Sequence, residues 1–385
     1  MKISSLFAPA LGVALAASII AGCTSNGSSP AFAPPSSTVA NARGAVSMST
    51  ARLLAITTLA KIAPSQHREG GTGRIVPNHL CEPWPTCIYF DEPDLCGACP
   101  NAVLYLSDEV QNVVDEYTAA LMTLPGFSEP YGECVDARGN AWITNFSGES
   151  VVEYARGGTK PIGTLNTNGY SIGCAVSPNG DLAVANFSGA SGIGDIQVFK
   201  HASGTPTEYS NQEDYYFWPP GYDNKGNLFV EAQTYNGGVG VAELSAGGSS
   251  LEPVSVNQTI YYPGSVMWDG KYITLTDQDA GGNPSSPATT IYQMSEKGSG
   301  NLTVAGSTPL EDNCNGSQVD VVQPFIAGRK NTPVNKKQGE VVIAGNLSCE
   351  NRVDAWKYPA GGQPIAVASP VPSYAYGQAV SVGKK

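Results

Sequence analysis

Residues 132–158 read GECVDARGNAWITNFSGESVVEYARGG, and the same phrase returns three times along the chain. It recurs as GCAVSPNGDLAVANFSGASGIGDIQVFKHASG over 173–204, as GYDNKGNLFVEAQTYNGGVGVAELSAGG over 221–248 and, in shorter form, as GSVMWDGKYITLTDQ over 264–278. In each copy a Gly precedes an apolar strand, a turn of the Asp/Asn-Gly kind follows, and a second strand leads to further polar turns and strands. The anchor glycines at 132, 173, 221 and 264 lie 41, 48 and 43 residues apart. A helical repeat needs apolar residues three and four apart, and these segments lack them. A period of about 40 to 50 residues with four strands per unit is the pattern of radial blades, in which each sheet buries its faces only against its neighbours. The expected fold class is therefore all-β, a β-propeller of four-stranded blades.

Blade counting extends outward from these four copies. A fifth unit, less regular, runs through VDVVQPFIAG (319–328), a Lys-rich insertion at 329–339, EVVIAG (340–345), RVDAWKYP (352–359) and IAVAS (365–369). Three strands at 103–108, 112–117 and 120–126 have no innermost partner before them, and GQAVSVG at 377–383 has nothing after it. Joined, they make one blade, so the count is six and the C-terminal strand closes the ring, leaving no open sheet edge there. The phrase Gly-x-x-x-Asp-x-x-Gly-Asn, clearest at Gly132, Asp136, Gly139 and Asn140 and again at Asp223, Gly226 and Asn227, resembles the NHL-repeat family and its six-bladed relatives, the gluconolactonase-like propellers. The resemblance covers roughly residues 101–385 and implies architecture far better than chemistry, because propellers sharing this strand pattern do unrelated things.

The N-terminus carries an address. Lys2, an apolar run from Leu6 to Ile20 and the small-residue sequence Ile20-Ala21-Gly22-Cys23 form an export signal at 1–22, too short for a membrane span of about 20 apolar residues. The tetrapeptide resembles the lipobox of bacterial lipoproteins, which implies cleavage before Cys23 and acylation of that cysteine. Thr24 after it points weakly to the outer membrane of a Gram-negative cell. An ordinary secretory signal is the alternative. Residues 23–47, rich in Ser, Pro, Ala and Gly, read as a disordered tether. Residues 48–100 read as an extension holding a short helix at 49–63 and four cysteines, Cys81, Cys87, Cys96 and Cys99, for which structural disulfides fit an exported chain better than zinc. Cys314 and Cys349 flank antiparallel neighbours of the fifth unit and are expected to pair. For Cys134 and Cys174, offset by one position in adjacent inner strands, the pairing stays open.

Composition narrows function mainly by exclusion. Among 385 residues only 14% are charged, about half the usual share of about 25%, and the net charge is −12, so a nucleic-acid surface is not expected. No Gly-x-Ser-x-Gly elbow, His-Glu-x-x-His or phosphate-binding loop occurs, and none of the three histidines, His67, His79 and His201, falls on the channel mouth. No catalytic residue is assigned. Aromatics instead gather just before the anchor glycines: Tyr131, Tyr170, Tyr215 to Trp218, Tyr261 with Tyr262, and Tyr374 with Tyr376. Two readings stand, rings that plug seams between blades and a ring-lined mouth that stacks on a sugar or other flat ligand. The candidate ligand contacts are Tyr131, Tyr170, Trp218, Tyr262 and Tyr376. Glu213, Asp214, Glu311, Asp312 and Asp320 belong to the same face. The expected role is a lipid-anchored envelope module that binds an envelope protein or a carbohydrate-like ligand, meeting the membrane through its N-terminal lipid only. The alternative is a calcium-dependent lactonase or hydrolase of the gluconolactonase-like kind. Asp277, Gln278 and Asp279 with Asn283 look superficially like a calcium loop but lack the Glu at the twelfth place, so no metal residue is assigned and no cofactor beyond that calcium is expected.

Overall fold

The computed structural model describes residues 102–117, 121–189, 191–282, 289–296, 300–311, 324–327, 340–345, 352–368 and 375–382. The signal, Cys23, the tether, the 49–63 helix, the four cysteines of the extension, His67 and His79, and the Cys314 and Cys349 pair lie outside the described residues. Strands dominate what is described, and among these residues no helix is long and apolar enough to cross a membrane.

Six sheets are described. The first holds β1 (Ala102–Asp108), β2 (Val113–Tyr117) and β3 (Leu121–Pro125); the second holds β4 (Pro130–Val135), β5 (Ala141–Asn145), β6 (Ser150–Tyr154) and β7 (Pro161–Asn166). The third is β8 (Gly169–Val176), β9 (Leu182–Gly189), β10 (Asp195–Phe199) and β11 (Thr207–Tyr209). In the fourth the inner strand is broken by Trp218, Pro219 and Pro220 into β12 (Asp214–Phe217) and β13 (Gly221–Tyr222), followed by β14 (Leu228–Thr234), β15 (Val239–Leu244) and β16 (Glu252–Pro253). The fifth sheet adds β17 (Ser255–Val256), parallel to its outer strand, before β18 (Pro263–Trp268), β19 (Ile273–Asp277), β20 (Thr290–Glu296) and β21 (Asn301–Pro309). The sixth is β22 (Phe325–Ala327), β23 (Glu340–Gly345), β24 (Val353–Tyr358) and β25 (Ala366–Ala368). Finally β26 (Ala375–Val382) returns to pair with β1, Ala102 opposite Val382 and Leu106 opposite Gln378, so the C-terminal strand completes the first sheet as its sequence position implied.

Neighbouring sheets pack through their inner strands, β26 on β4, β4 on β8, β8 on β13, β13 on β18 and β23 on β26. Between the fifth and sixth sheets a buried cluster of Ile291, Leu310, Val342, Ala344, Trp356 and Tyr358 fills the seam, and the Tyr358 hydroxyl donates to Asp269 Oδ2 at 2.6 Å. Anchor glycines permit this approach. A Cβ on Gly377 would stand 2.1 Å from the Tyr131 carbonyl oxygen, and one on Gly173 would meet Pro219 at 2.5 Å. Buried carboxyl groups cross the seams as well: Glu231 Oε2 accepts from the Gly264 N–H at 3.1 Å and Glu133 Oε1 from the Ser107 hydroxyl at 2.7 Å. Burial holds both carboxyls well above the usual range.

The recurring Asp/Asn-Gly phrase is a turn former. Asp136 Oδ1 accepts the N–H groups of Arg138 and Asn140, both at 2.8 Å, and Asp223 Oδ1 accepts those of Lys225 and Asn227 at the same distance. Gly139 and Gly226 supply the positive φ, 89° and 92°, that ends each turn. Ser177 and Asp269 occupy the same position with the same job, capping Asp181 N–H at 2.9 Å and Tyr272 N–H at 2.6 Å. All four turns join a first strand to a second, at the end of the ring opposite the mouth.

Cys134 and Cys174 form a disulfide between β4 and β8 with Cα atoms 5.6 Å apart. Their one-position offset persists in the registers, Cys134 opposite Trp142 and Cys174 opposite Val184, and because successive strand side chains point to opposite faces, it lets two neighbouring sheets turn these cysteines toward one another. The bridge ties the second sheet to the third.

Candidate functional site

At the mouth four of the second strands end in a polar clasp, a side chain that accepts from or donates to backbone. Asn145 Oδ1 accepts the Ser128 N–H at 2.6 Å, Asn186 Nδ2 donates to the Thr167 carbonyl at 3.0 Å and to Asp195 Oδ1 at 2.7 Å, and Asp108 Oδ1 accepts the Gln111 N–H at 2.9 Å. Asp277 receives the N–H groups of Tyr261 and Tyr262 at 3.1 and 3.0 Å. At Asn145, Asn186 and Asp277 the clasp fastens the loop arriving from the preceding sheet, whereas Asp108 caps the turn that follows β1; Glu109, Phe146, Phe187, Tyr235 and Gln278 come next at the mouth end.

Rings occupy much of that rim and touch in two arcs. In the first, Tyr376 stacks on Tyr131 with centroids 4.5 Å apart, Tyr131 meets Phe146 at 5.6 Å, and Phe146 stacks on Tyr170 at 5.0 Å. The second runs from Tyr235 to Tyr215 at 5.1 Å, to Tyr216 at 4.1 Å, on to Phe187 at 4.1 Å, then edge-on to Trp218 at 6.1 Å and from Trp218 to Tyr262 at 5.5 Å. Each such pair contributes about 0.5–1.5 kcal/mol beyond the area it buries.

The five candidate ligand contacts divide by depth. Tyr131 and Trp218 are 2% and 0% exposed, so their rings are seam plugs and cannot stack on a ligand; that part of the sequence expectation is corrected by the packing around them. Tyr262 and Tyr376 are half-buried, and Tyr170 is exposed at 39%. The structure adds Tyr235 and Tyr261, which are 52% and 51% exposed. Phe146 and Phe187 form the supporting layer, and their signal was in the sequence all along, in the repeated Asn-Phe-Ser-Gly at 145–148 and 186–189.

Acidic groups share the face. Burial, the nearby Glu129 carboxylate and Asp108 push Glu109 up to about 7 against a hydrogen bond from Tyr376. Burial likewise raises Asp195, Asp214 and Asp277, each opposed by hydrogen bonds. Asp214 is held by Asn211 Nδ2 at 2.6 Å and Glu213 is exposed beside it, whereas Glu311 accepts from Gln363 at 3.1 Å. Asp312, Asp320 and Asn283 lie outside the described residues. Among the described residues no three His, Cys, Asp or Glu side chains converge as a cation site. Asp277 in particular spends its oxygens on backbone N–H groups of Tyr261, Tyr262 and Asp279, so the described residues do not fit the calcium that a gluconolactonase-like reading implies. His201 sits at the opposite end, after β10, with its ring 3.8 Å from Asp181.

No family model and no curated protein matches the chain. Among solved structures it is similar to a chain of the nidogen/laminin complex, at 11% identity over 74% of this chain and 100% of that one, with a TM-score of 0.52. Looser similarities are to a gluconolactonase from Xanthomonas campestris (12% identity, 64% and 78% of the two chains, TM-score 0.44) and to a streptogramin B lyase (13%, 71% and 74%, TM-score 0.42). The first likeness shows the propeller fold; identities this low do not reach the chemistry.

Proposed function

We propose that this protein is an exported propeller, anchored by lipid on Cys23 at the cell envelope, that binds a carbohydrate-like ligand or an envelope protein through its mouth face. The observation that carries the binding role is the two-layered rim: Tyr170 exposed over Phe146, and Tyr235 exposed against Tyr215. An exposed ring resting on a second ring is held flat, so it meets a ligand with little rotamer entropy left to lose. Export is supported by the signal sequence and by the Cys134–Cys174 bridge, which persists in oxidising compartments. The test has two arms. In a bacterial host Cys23→Ser should move the protein from the membrane to the soluble fraction and abolish labelling by a palmitate analogue. Pull-down of solubilised envelope material by the full chain should then weaken when Tyr170→Ala and Tyr235→Ala are combined, and undiminished capture by that double variant would sink the mouth as the binding face.

A further inference from the structure

A cleft of about 550 Å³ opens at the rim between the third and fourth sheets, lined by Ser191, Asp195, Glu208, Gln212 and Tyr235 among others. Three separate loops build it: the turn between β9 and β10, the connection from β11 to β12, and the turn between β14 and β15. All three are pinned by their own backbones. The Gly194 N–H donates to the Tyr215 carbonyl at 2.8 Å, which fixes the first loop to the inner strand of the next sheet; a Cβ on Gly194 would stand 2.6 Å from the Asn186 carbonyl oxygen. Asn211 Oδ1 accepts the N–H groups of Glu213 and Asp214 at 2.9 and 2.8 Å and sets the second. The Tyr235 N–H donates to the Glu213 carbonyl at 3.1 Å and joins the third to the second.

We infer that this cleft, rather than the channel axis, is the ligand subsite, and that it takes a neutral sugar of one or two rings; this rests on the binding role proposed above. Four features converge on that chemistry. The volume lies within the range of about 300–1,000 Å³ usual for small-ligand pockets. Tyr235 offers an exposed face, braced edge-on by Tyr215, for the C–H side of a pyranose. Asp195 and Glu208 are acceptors able to take paired hydroxyl protons, while Gln212 and the Ser191 and Ser210 hydroxyls add donors, so the wall answers a ligand that both gives and accepts hydrogen bonds. An anionic sugar is disfavoured because no Lys or Arg lines the cleft.

The experiment titrates the detergent-solubilised full chain by calorimetry with three neutral disaccharides, cellobiose, mannobiose and diacetylchitobiose, and with calcium chloride alone. At least one disaccharide should bind saturably. Tyr235→Ala should weaken it about tenfold and Glu208→Gln several-fold, in line with one lost stacking contact or one lost hydrogen bond, while Tyr235→Phe retains binding. Both positions are exposed, so the variants should still unfold cooperatively, Glu208→Gln close to the parent and Tyr235→Ala lower by no more than its one ring pair. Disaccharide binding that survives Tyr235→Ala and Glu208→Gln but disappears with Tyr170→Ala would overturn the cleft and leave the mouth-face reading standing. Binding of calcium alone that Glu208→Gln removes, or failure of all three sugars, would overturn the sugar assignment; the envelope pull-down judges the broader role separately.

Discussion

The two ends of the strand ring solve the same backbone problem in different ways. At the turn end, Asp136, Ser177, Asp223 and Asp269 repeat one device, a short side chain that caps the N–H groups of a tight turn. At the mouth end the corresponding residues vary more, an acid at Glu109, rings at Phe146, Phe187 and Tyr235 and an amide at Gln278. Uniformity at one end is what holding a sheet requires, and variety at the other is what a surface shaped for a particular ligand requires. On the binding role proposed above, stability and recognition are separated along the strands, and substitutions at the two ends should separate them experimentally.

The sharpest break would come from neither end. Removing residues 375–385 deletes β26, strips β1 of its partner and uncovers the seam with β4. The truncated chain should lose cooperative unfolding altogether, as read by circular dichroism during a urea titration. Next in size is Cys134→Ala with Cys174→Ala: opening a loop closed across 40 residues should cost about 4 kcal/mol by the chain-entropy relation, measured as a lower denaturation midpoint. Reductant should lower the parent's midpoint to match, and an unmoved midpoint would show that the seam is held without the bridge.

Acidity comes third. Burial pushes Glu116 up to about 7, and its two carboxyl oxygens have no hydrogen-bond partner among the described residues; Glu109 titrates in the same range. Between the unfolded value near 4.5 and about 7 the folded state retains protons that the unfolded chain has released. Stability should therefore fall as pH rises through that window, with a slope approaching about 1.4 kcal/mol per pH unit for each group, and level off above it. Glu116→Gln should flatten the profile. The smallest stability effects set the two ends side by side: Asp223→Ala should cost about 1–2 kcal/mol and leave ligand capture untouched, whereas Tyr235→Ala should cost no more than its one ring pair, about 0.5–1.5 kcal/mol, and reduce capture. The reverse outcome would erase the division between the ends.

What could be read from the chain beforehand follows the same division. Strand order and closure were legible because their signals are local: an anchor Gly, a capped turn and an alternating strand, each understandable from a few consecutive residues such as Asp223 to Asn227. Depth at the mouth was not, since whether Tyr131 or Tyr170 faces solvent depends on which ring arrives from the next sheet. Trp218 illustrates the difficulty. It sits before an anchor Gly like its counterparts, but the two prolines after it break the inner strand and the ring ends fully buried between Phe187 and Tyr262. The Cys134–Cys174 pairing was obscured by a one-residue offset, which reads as a mismatch along the chain but suits two sheets that meet through opposite faces. The rim cleft has no linear signature at all, being assembled from three loops.

The return of β26 to β1 also sets the order of assembly. Ala102 and Val382 lie at opposite ends of the described residues, yet they are partners in one ladder. Every sheet between them can form from local hairpins as it appears, but the ring has no finished inner wall until the last strand arrives. A chain delivered from its N-terminus therefore waits, open at one seam, for its final residues. Closure of the ring is in this way reserved for the strand that emerges last of the six sheets.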